Sequence, residues 1–347
     1  MEDLDQLNNL LNGYEESLKK EGTDYGLDKE EKKRKKFKIT SSEETFRFMK
    51  TTNGNYYDVA YFHEVRVGKY NQKVYCLKND GEECPLCKKS EAILAKQHKG
   101  KYNELTEEQR EHNKKYYSEA MKYAAKKHYA FEGIDRGVEK DGKKIWLAKE
   151  NKKLEGVLDK LIPAIKAYKT AHGLDYTDIE NGVDMTISSQ QDVIQTTKNK
   201  YWKVISISNN GKPSQLHSDE NTANKFLNDK TTWRDVYPPY VITDVVDKKE
   251  MLSLISEGNA PYWDEDRKTF VFPNRPDLQK LYDEKRSQTT SKKGDNSGSD
   301  DVDEIANMMK NSSSSSDDQL EKELNQIKNN SGSLNIANMD DLDDLPF

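Results

Sequence analysis

The sequence predicts an α+β fold that is mainly β, with antiparallel strands arranged as a barrel or as small sheets. Short runs alternate apolar and polar residues, and turns such as Asn53-Gly54 and Asp141-Gly142 separate them. One histidine and three cysteines fall within 25 residues, which predicts a metal site inside this fold. The chain has 347 residues, enough for one sizeable domain with appendages.

Each predicted element rests on its own periodicity. Apolar residues at helical spacing from Leu154 to Tyr168, with a bend at Pro163, predict one helix. Residues 107–127 predict a second helix, whose face is rich in tyrosine and lysine. Alternation of β-branched and aromatic residues predicts the strands 45–49, 56–67, 74–77, 128–134, 144–147, 183–188, 201–208 and 240–246.

The cysteines predict a metal site. All three lie in the pattern His-x12-Cys-x7-Cys-Pro-Leu-Cys. Zinc takes four nitrogen and sulfur ligands at tetrahedral geometry, and one histidine with three cysteines is typical of a closed, structural site. A disulfide would leave one cysteine over, and redox-active or incidental cysteines are the remaining alternative. The predicted ligands of one structural Zn²⁺ are His63, Cys76, Cys84 and Cys87.

His63 is the least secure of these ligands, because His98 lies downstream of the cysteines. His63 is favoured since it lies in the alternating run 59–67, where a strand would present it on the same face as Tyr61 and Val65.

Composition limits the class of protein. Hydrophobic residues make up 33% of the chain and charged residues 34%, so part of the chain is expected to remain unpacked. A secretory signal and an apolar run of membrane-spanning length are both lacking. Zinc-binding thiols indicate a reducing compartment.

Charge is unevenly distributed although the net charge is only -6. Residues 88–153 hold 18 Lys or Arg against 11 Asp or Glu, whereas residues 300–347 hold 12 acids against three lysines. A basic body with an acidic tail indicates a polyanionic ligand and an internal competitor for it.

The end of the chain predicts a docking motif. Residues 287–347 are rich in Ser, Asp and Asn and are expected to be disordered. The final residues place apolar side chains among acids, which is typical of a short segment that docks in a pocket with a basic rim. This partner-docking tip is Asp340, Asp341, Leu342, Asp343, Asp344, Leu345, Pro346 and Phe347.

Tyrosine and lysine are interleaved through the basic region, as in Lys115-Tyr116-Tyr117. Lysines neutralise phosphates and aromatic rings stack on bases, which favours single strands because a duplex hides its base faces. Neither a phosphate-binding Gly-x-x-x-x-Gly-Lys-Ser/Thr loop nor a Gly-x-Ser-x-Gly elbow occurs in the sequence. We therefore expect binding without catalysis.

With these residues together, the chain resembles the zinc-containing, single-stranded DNA-binding (helix-destabilising) proteins of T-even-like bacteriophages. The resemblance rests on the His63/Cys76/Cys84/Cys87 set, the basic Tyr-rich segment and the acidic tail. It implies an OB-fold barrel with an inserted zinc subdomain and a basic cleft between them. The expected divisions are an amphipathic arm and basic linker for self-association or docking (1–35), the core (36–250, zinc subdomain about 60–130), a peripheral segment (251–286) and the tail (287–347).

The expected DNA contacts combine the Lys/Tyr pattern with segments that resemble the family's cleft, including Arg47 and the stretch 142–146. Bases would stack on some of Tyr102, Tyr116, Tyr117, Tyr123, Tyr129, Phe131 and Trp146. Phosphates would contact Arg47, Lys114, Lys115, Lys122, Lys126, Lys127, Lys143 and Lys144.

The expected function is binding of single-stranded DNA with little sequence preference during viral replication, recombination and repair, in the cytoplasm of an infected bacterium. The tail would recruit replication and recombination proteins and compete with DNA. A zinc-ribbon nuclease and a zinc-containing transcription factor are the alternatives.

Overall fold

The fold is α+β, with a mostly antiparallel sheet as its framework. The sheet consists of β1 (Glu43–Met49), β2 (Asp58–Val67), β3 (Tyr70–Tyr75), β4 (Ala125–Asp135), β5 (Lys143–Lys149), β6 (Met185–Val193) and β7 (Lys200–Asn209). The computed structural model describes residues 27, 29–67, 70–151, 153, 155–193, 200–242, 244–264 and 266–292.

Strand β4 organises the sheet, because it pairs with three other strands. Along one edge of β4, β2 pairs with the first half of β4 (Asp58↔Ala130) and β1 pairs with the second half (Phe46↔Asp135). Strand β5 pairs along its opposite edge. The remaining order is β3-β2 on one side and β1-β6-β7 on the other.

The predicted closed barrel does not form in the described part of the chain. The strand path is open, with β3 and β7 at its ends. Beyond β5 the chain makes a single parallel bridge, Lys36↔Ile145, in which the Phe37 N–H donates to the Ile145 carbonyl at 2.9 Å. One bridge covers the edge of β5 locally but does not extend the ladder around to β7.

The helices begin and end at recognisable caps. In the helix that starts at Glu107, Thr106 Oγ1 accepts the Gln109 N–H and Gln109 Oε1 accepts the Thr106 N–H, which is a capping box. The helices are α1 (Lys29–Lys35), α2 (Pro85–Leu94), α3 (Glu107–Met121), α4 (Val157–His172), α5 (Glu220–Asn228), α6 (Trp233–Val236), α7 (Lys248–Glu257) and α8 (Pro276–Lys292), and a ribbon of β8 (Tyr262–Asp264) and β9 (Thr269–Val271) precedes α8.

Two predicted elements differ from the structure. Helix α3 ends at Met121 rather than at residue 127, because the chain enters β4 at Ala125 and pairs there with β2. The predicted strand 240–246 is a tight turn in which Ile242 and Val246 form one bridge and Asp244 has a φ of 60°. Reversal of the chain at Asp244 prevents an extended strand.

The first large core, called here the aromatic core, lies between the sheet and α4. Strands β1, β4 and β5 contribute aromatic rings, and α4 contributes Leu161 and Tyr168. The rings pack edge-on, with the Phe48 and Phe131 centroids 5.4 Å apart. The buried aromatic rings from the strands are Phe46, Phe48, Phe131 and Trp146.

The second large core, called here the metal-side core, joins the far end of the sheet to the C-terminal segment. Val65 and Val67 of β2 pack in one cluster with Met251 of α7 and with Phe270 of β9. Phe270 is 1% exposed, and burial of such a ring stabilises the fold by about 1.5–3 kcal/mol. Residues 251–286, predicted to be peripheral, are therefore part of this core.

The two ends of the chain are only partly covered by the structure. The basic run after residue 28 forms α1, whereas residues 1–26 lie outside the described residues. Helix α8 continues past residue 287, the predicted start of the tail, to Lys292. Residues 293–347, including the predicted docking tip at 340–347, also lie outside the described residues.

Candidate metal centre and adjoining aromatic surface

The four predicted ligands form one cluster, whose ligand atoms all lie within 4.8 Å of one another. His63 Nε2 lies 3.2 Å from Cys84 Sγ and 3.9 Å from Cys87 Sγ, and Cys76 Sγ lies 3.6 Å from Cys87 Sγ. A tetrahedral ion with Zn–S bonds of about 2.3 Å and Zn–N bonds of about 2.0–2.1 Å separates its ligands by about 3.6–3.8 Å. The cluster can therefore bind a metal ion, and its dimensions are consistent with a structural zinc site.

Local structure explains how the cysteines converge. Cys76 follows β3 and opens the 3-10 turn Leu77–Asp80, which Gly81 closes in the left-handed region at φ 73°. Cys84 is the N-cap residue of α2, with Pro85 in the first helical position and Cys87 in the first turn. The first turn of α2 thus brings two of the sulfurs to one side of the cluster.

His63 is oriented by a second contact, which favours it over His98 as the fourth ligand. Its Nδ1 lies 2.6 Å from the Tyr123 carbonyl oxygen and donates to it, so Nε2 faces the sulfurs and is placed to ligate a metal ion. His63 is 0% exposed. His98 is exposed, and its backbone N–H donates to Asn113 Oδ1 at 2.7 Å, away from the cluster.

The electrostatics of the cluster also favour a cation. Hydrogen bonds with the Cys84 and Cys87 sulfurs raise the pKa of Cys76, whereas hydrogen bonds from Cys76 and Cys87 lower the pKa of Cys84. Sulfurs this close share protons, because adjacent buried thiolates repel one another. A divalent ion would replace these protons and neutralise the thiolates.

Strand β2 changes its buried face at the cluster. Ala60 and Phe62 are buried on one face, against a small core that includes Trp233. From His63 onward the opposite face is buried, with Val65 and Val67 in the metal-side core. Two cores therefore cover opposite faces of the same strand.

A partly exposed patch lies on the sheet face that carries His63. On this face Ala125 lies beside His63 at the metal-side core, and Phe131 of β4 lies under the aromatic core. Between these ends lie two cross-strand pairs, Val59↔Tyr129 and Tyr61↔Lys127. We call these four residues the open face; Val59 is 40% exposed and the other three are half-buried.

The open face combines aromatic rings with cations. The Lys127 ammonium lies 4.9 Å from the Tyr129 ring centroid, and the Lys78 ammonium lies 4.7 Å from that of Tyr61. Tyr57 packs edge-on against Tyr129 at 5.1 Å. Each cation lies where it can contact a phosphate next to a stacked base.

The loop of the metal cluster holds part of this surface in place. Asn79 Oδ1 accepts the Tyr61 N–H and Asn79 Nδ2 donates to the Tyr61 carbonyl, both at 2.8 Å. The Cys76 N–H also donates to the Tyr61 carbonyl at 3.1 Å. Because Asn79 and Lys78 belong to the turn that Cys76 opens, the metal loop and the open face form one unit.

A second aromatic group adjoins the open face through Tyr57. Tyr56 is 46% exposed and stacks on Tyr176, with the ring centroids 5.6 Å apart. The Lys50 ammonium lies 5.4 Å from the Tyr56 centroid. Asp175 accepts the Tyr56 hydroxyl at 2.9 Å.

Arg47, a predicted phosphate contact, is buried at 0% exposure. Its guanidinium donates to the Asp178 carbonyl at 2.7 Å and to the Ser214 carbonyl at 2.8 Å, and it lies 3.7 Å from Asp184. Burial lowers the pKa of Arg47 to about 10, so it remains charged at neutral pH. Its hydrogen bonds fasten Asp178 and Ser214 to β1, and the predicted DNA contact is corrected to a structural role.

Lys143 and Lys144, also predicted phosphate contacts, are likewise buried and take structural roles. Lys143 is 2% exposed and pairs with Glu132 at 2.7 Å, while its ammonium also donates to the Asp229 carbonyl. Lys144 is 4% exposed, pairs with Asp141 at 2.8 Å and donates to the Arg34 carbonyl. Both ammonium groups are engaged inside the protein.

Phe131 and Trp146, predicted to stack on bases, instead pack on each other. They are cross-strand partners in β4 and β5 with centroids 6.0 Å apart, and they are 0% and 6% exposed. Both belong to the aromatic core, so this prediction is also corrected. Tyr129, two residues from Phe131 on the same face, packs against the edge of that core and stays half-buried.

The remaining predicted contacts lie on α3 and its flanks, apart from the open face. Tyr102 is 36% exposed, with the Arg110 guanidinium 4.8 Å from its ring. The Lys89 ammonium lies 4.1 Å from the half-buried Tyr123 ring. Lys115 and Lys122 are exposed, and Lys114, Tyr116, Tyr117 and Lys126 are half-buried.

Sequence reasoning missed Tyr57, Tyr61, Lys78 and the Lys50/Tyr56 pair as surface candidates. A signal for Tyr61 was present, because it lies two residues before His63 in the same alternating run. Lys78 directly follows the Cys76-Leu77 pair of the metal loop. The sequence carries no comparable signal for the stacking of Tyr56 on Tyr176, which lie 120 positions apart.

No protein-family model matches the sequence, and no curated protein matches it either. None of the helices in the described part of the chain is long and apolar enough to cross a membrane. Functional conclusions therefore rest on the metal cluster and the open face.

Proposed function

We propose that this chain binds single-stranded DNA with little sequence preference and without catalysis. The open face is the observation that carries the proposal. Tyr61 and Tyr129 alternate there with cations on a partly exposed stretch of sheet, and this is the arrangement that sequence-tolerant stacking requires. The resemblance to T-even-like phage proteins supports the same function.

A structural zinc ion is part of this proposal. His63 and the three cysteines would hold the ion, which would crosslink β2, the turn after β3 and α2. This crosslink would keep Lys78 and Asn79 against Tyr61, so the metal would support the open face without contacting DNA.

The resemblance to phage proteins suggests the wider role. The chain would protect single strands and remove their secondary structure during viral replication, recombination and repair in the host cytoplasm. Its acidic tail would compete with DNA for the open face and recruit replication proteins through residues 340–347.

Comparison of oligo(dT) with a duplex of equal length, across a range of salt, tests the proposal. Tyr61→Leu and Tyr129→Leu should each weaken binding of oligo(dT) by about 5- to 150-fold, the equivalent of about 1–3 kcal/mol per stacked base. Tyr262→Leu is the matched control, because Tyr262 is 37% exposed on the β8–β9 ribbon and is not part of the open face. The oligo(dT) affinity of this variant should match that of the parent chain.

Other outcomes point to other functions. Preference for the duplex would favour a transcription factor, and magnesium-dependent cleavage of the oligonucleotide would favour a nuclease. A single-strand preference below about tenfold would contradict the proposal, as would unchanged oligo(dT) affinity of both open-face variants.

A further inference from the structure

The same arrangement of a lysine, a tyrosine and a carboxylate occurs twice at the aromatic surface. Lys127 pairs with Glu150 at 2.7 Å, and Glu150 also accepts the Tyr129 hydroxyl at 2.8 Å. In the second, Lys50 pairs with Asp175 at 3.7 Å, and Asp175 accepts the Tyr56 hydroxyl at 2.9 Å. The two adjoin, since Tyr57 follows Tyr56 in the chain and contacts Tyr129.

In both arrangements the carboxylate holds the lysine beside the tyrosine. The Lys127 ammonium is 4.9 Å from the Tyr129 centroid, and the Lys50 ammonium is 5.4 Å from the Tyr56 centroid. The Lys127 ammonium also donates to the Tyr129 hydroxyl at 3.2 Å, so it lies at the hydroxyl end of that ring. The carboxylate oxygens also take the place at the ammonium that a phosphate would occupy.

We propose that Glu150 and Asp175 compete with nucleic-acid phosphate, each holding its lysine beside a tyrosine until a strand takes that lysine. This inference rests on the proposed single-strand binding. Binding would exchange a carboxylate for a phosphate at each lysine, next to a ring on which a base can stack. The carboxylates would thereby weaken binding and lower its dependence on salt.

The exchange predicts a distinctive salt dependence. When a lysine without an internal carboxylate partner binds a phosphate, cations condensed on the DNA are released. Each such contact contributes about 0.7 to the slope of log affinity against log salt on a single strand. A lysine taken from a carboxylate leaves that carboxylate free to collect a cation, which cancels most of the release. Neutralising one carboxylate should therefore steepen the plot of log affinity against log salt by about 0.7.

The ion pairs are accessible enough for this exchange. The side chains of Lys127 and Glu150 are 32% and 34% exposed, and those of Lys50 and Asp175 are 52% and 31% exposed. Pairs this exposed contribute little to stability, so a phosphate can displace the carboxylate at small cost.

Glu150→Gln and Asp175→Asn are the test variants, because the amide oxygen can still accept the tyrosine hydroxyl while the charge is removed. Each should bind labelled oligo(dT) about fivefold more tightly at low salt, the effect of one like charge about 4 Å away in water. Fluorescence anisotropy across a salt series gives both the affinity and the slope.

Glu64→Gln is the matched control. It removes one negative charge from an exposed pair with Lys149, 3.0 Å apart, and the Glu64 side chain points to the sheet face opposite the open face. Its smaller change in affinity measures the effect of net charge alone. Combining Glu150→Gln with Lys127→Ala should abolish the gain, because the carboxylate acts through that lysine.

The outcomes separate the two proposals. If the parent chain does not bind oligo(dT), the proposed function and this inference are both refuted. If the parent chain binds and Glu150→Gln and Asp175→Asn match Glu64→Gln in affinity and slope, only the inference falls. Weaker binding by folded Glu150→Gln would likewise overturn it, because the carboxylate would then only orient Tyr129.

Discussion

Replacement of His63 by alanine should release the metal and destabilise the metal-side core. The substitution removes the Nε2 ligand, which lies 3.2 Å from Cys84 Sγ. It also removes the Nδ1–H donor that lies 2.6 Å from the Tyr123 carbonyl oxygen, at a site where His63 is 0% exposed. Two separate losses therefore contribute to the change in free energy.

The magnitude follows from these two contacts. A buried carbonyl left without its donor costs about 1–3 kcal/mol. A metal ion present at about 1,000 times its dissociation constant stabilises the folded chain by about 4 kcal/mol, and this contribution is lost with the ion. The combined loss of about 5–7 kcal/mol is comparable to the whole free energy of unfolding of many domains, about 5–15 kcal/mol.

Metal content and urea unfolding, each measured with and without a chelator, test this prediction. His98→Ala is the control, because His98 is exposed and only its backbone is held by Asn113. The control should keep its zinc and change the free energy of unfolding by less than about 0.5 kcal/mol. Full zinc content and parental stability in His63→Ala would refute the assignment of His63 as a ligand.

Two further predictions concern buried ionisable side chains. Lys143→Ala should lower the free energy of unfolding by about 3–5 kcal/mol, because Glu132 stays buried without its partner 2.7 Å away. If the variant instead keeps its stability and binds oligo(dT) more weakly, Lys143 is a DNA contact after all. Burial lowers the pKa of His128 from 6.5 to about 4, so its contribution to stability is complete above pH 6.5 and is lost as the pH falls toward 4. Between pH 7 and pH 5 the free energy of unfolding of the parent chain, measured in urea, should fall by about 2 kcal/mol more than that of His128→Gln. Equal falls in the two chains would show that His128 binds its proton in the folded chain.

The metal site was the feature that the sequence predicted best. Spacing alone selected Cys76, Cys84 and Cys87, because a Cys-x-x-Cys turn brings two sulfurs together through local geometry. His63 was harder, since its approach depends on the pairing of β2 with β3 and β4. Alternation along the run 59–67 nevertheless pointed to it, because a strand places every second side chain on one face.

The surface was predicted far less well, and Arg47 and Lys143 show why. Their partners are distant in sequence: Arg47 bonds to residues 131 and 167 positions away, and Lys143 contacts Thr52, 91 positions away. Composition suggests that a charged residue is exposed, and only these long-range contacts reveal that the charge is buried and paired.

The sequence by itself determined the ligand set, the strand and helix periods and the division of charge between a basic body and an acidic tail. These depend on neighbouring residues, whose spacing has direct physical meaning. Only the tertiary structure decided which tyrosines are accessible, because the metal-side core and the aromatic core cover the two ends of one sheet face and leave the open face between them. Tyr129 and Phe131 have the same parity on one strand, yet Phe131 is fully buried in the aromatic core whereas Tyr129 packs against its edge and stays half-buried.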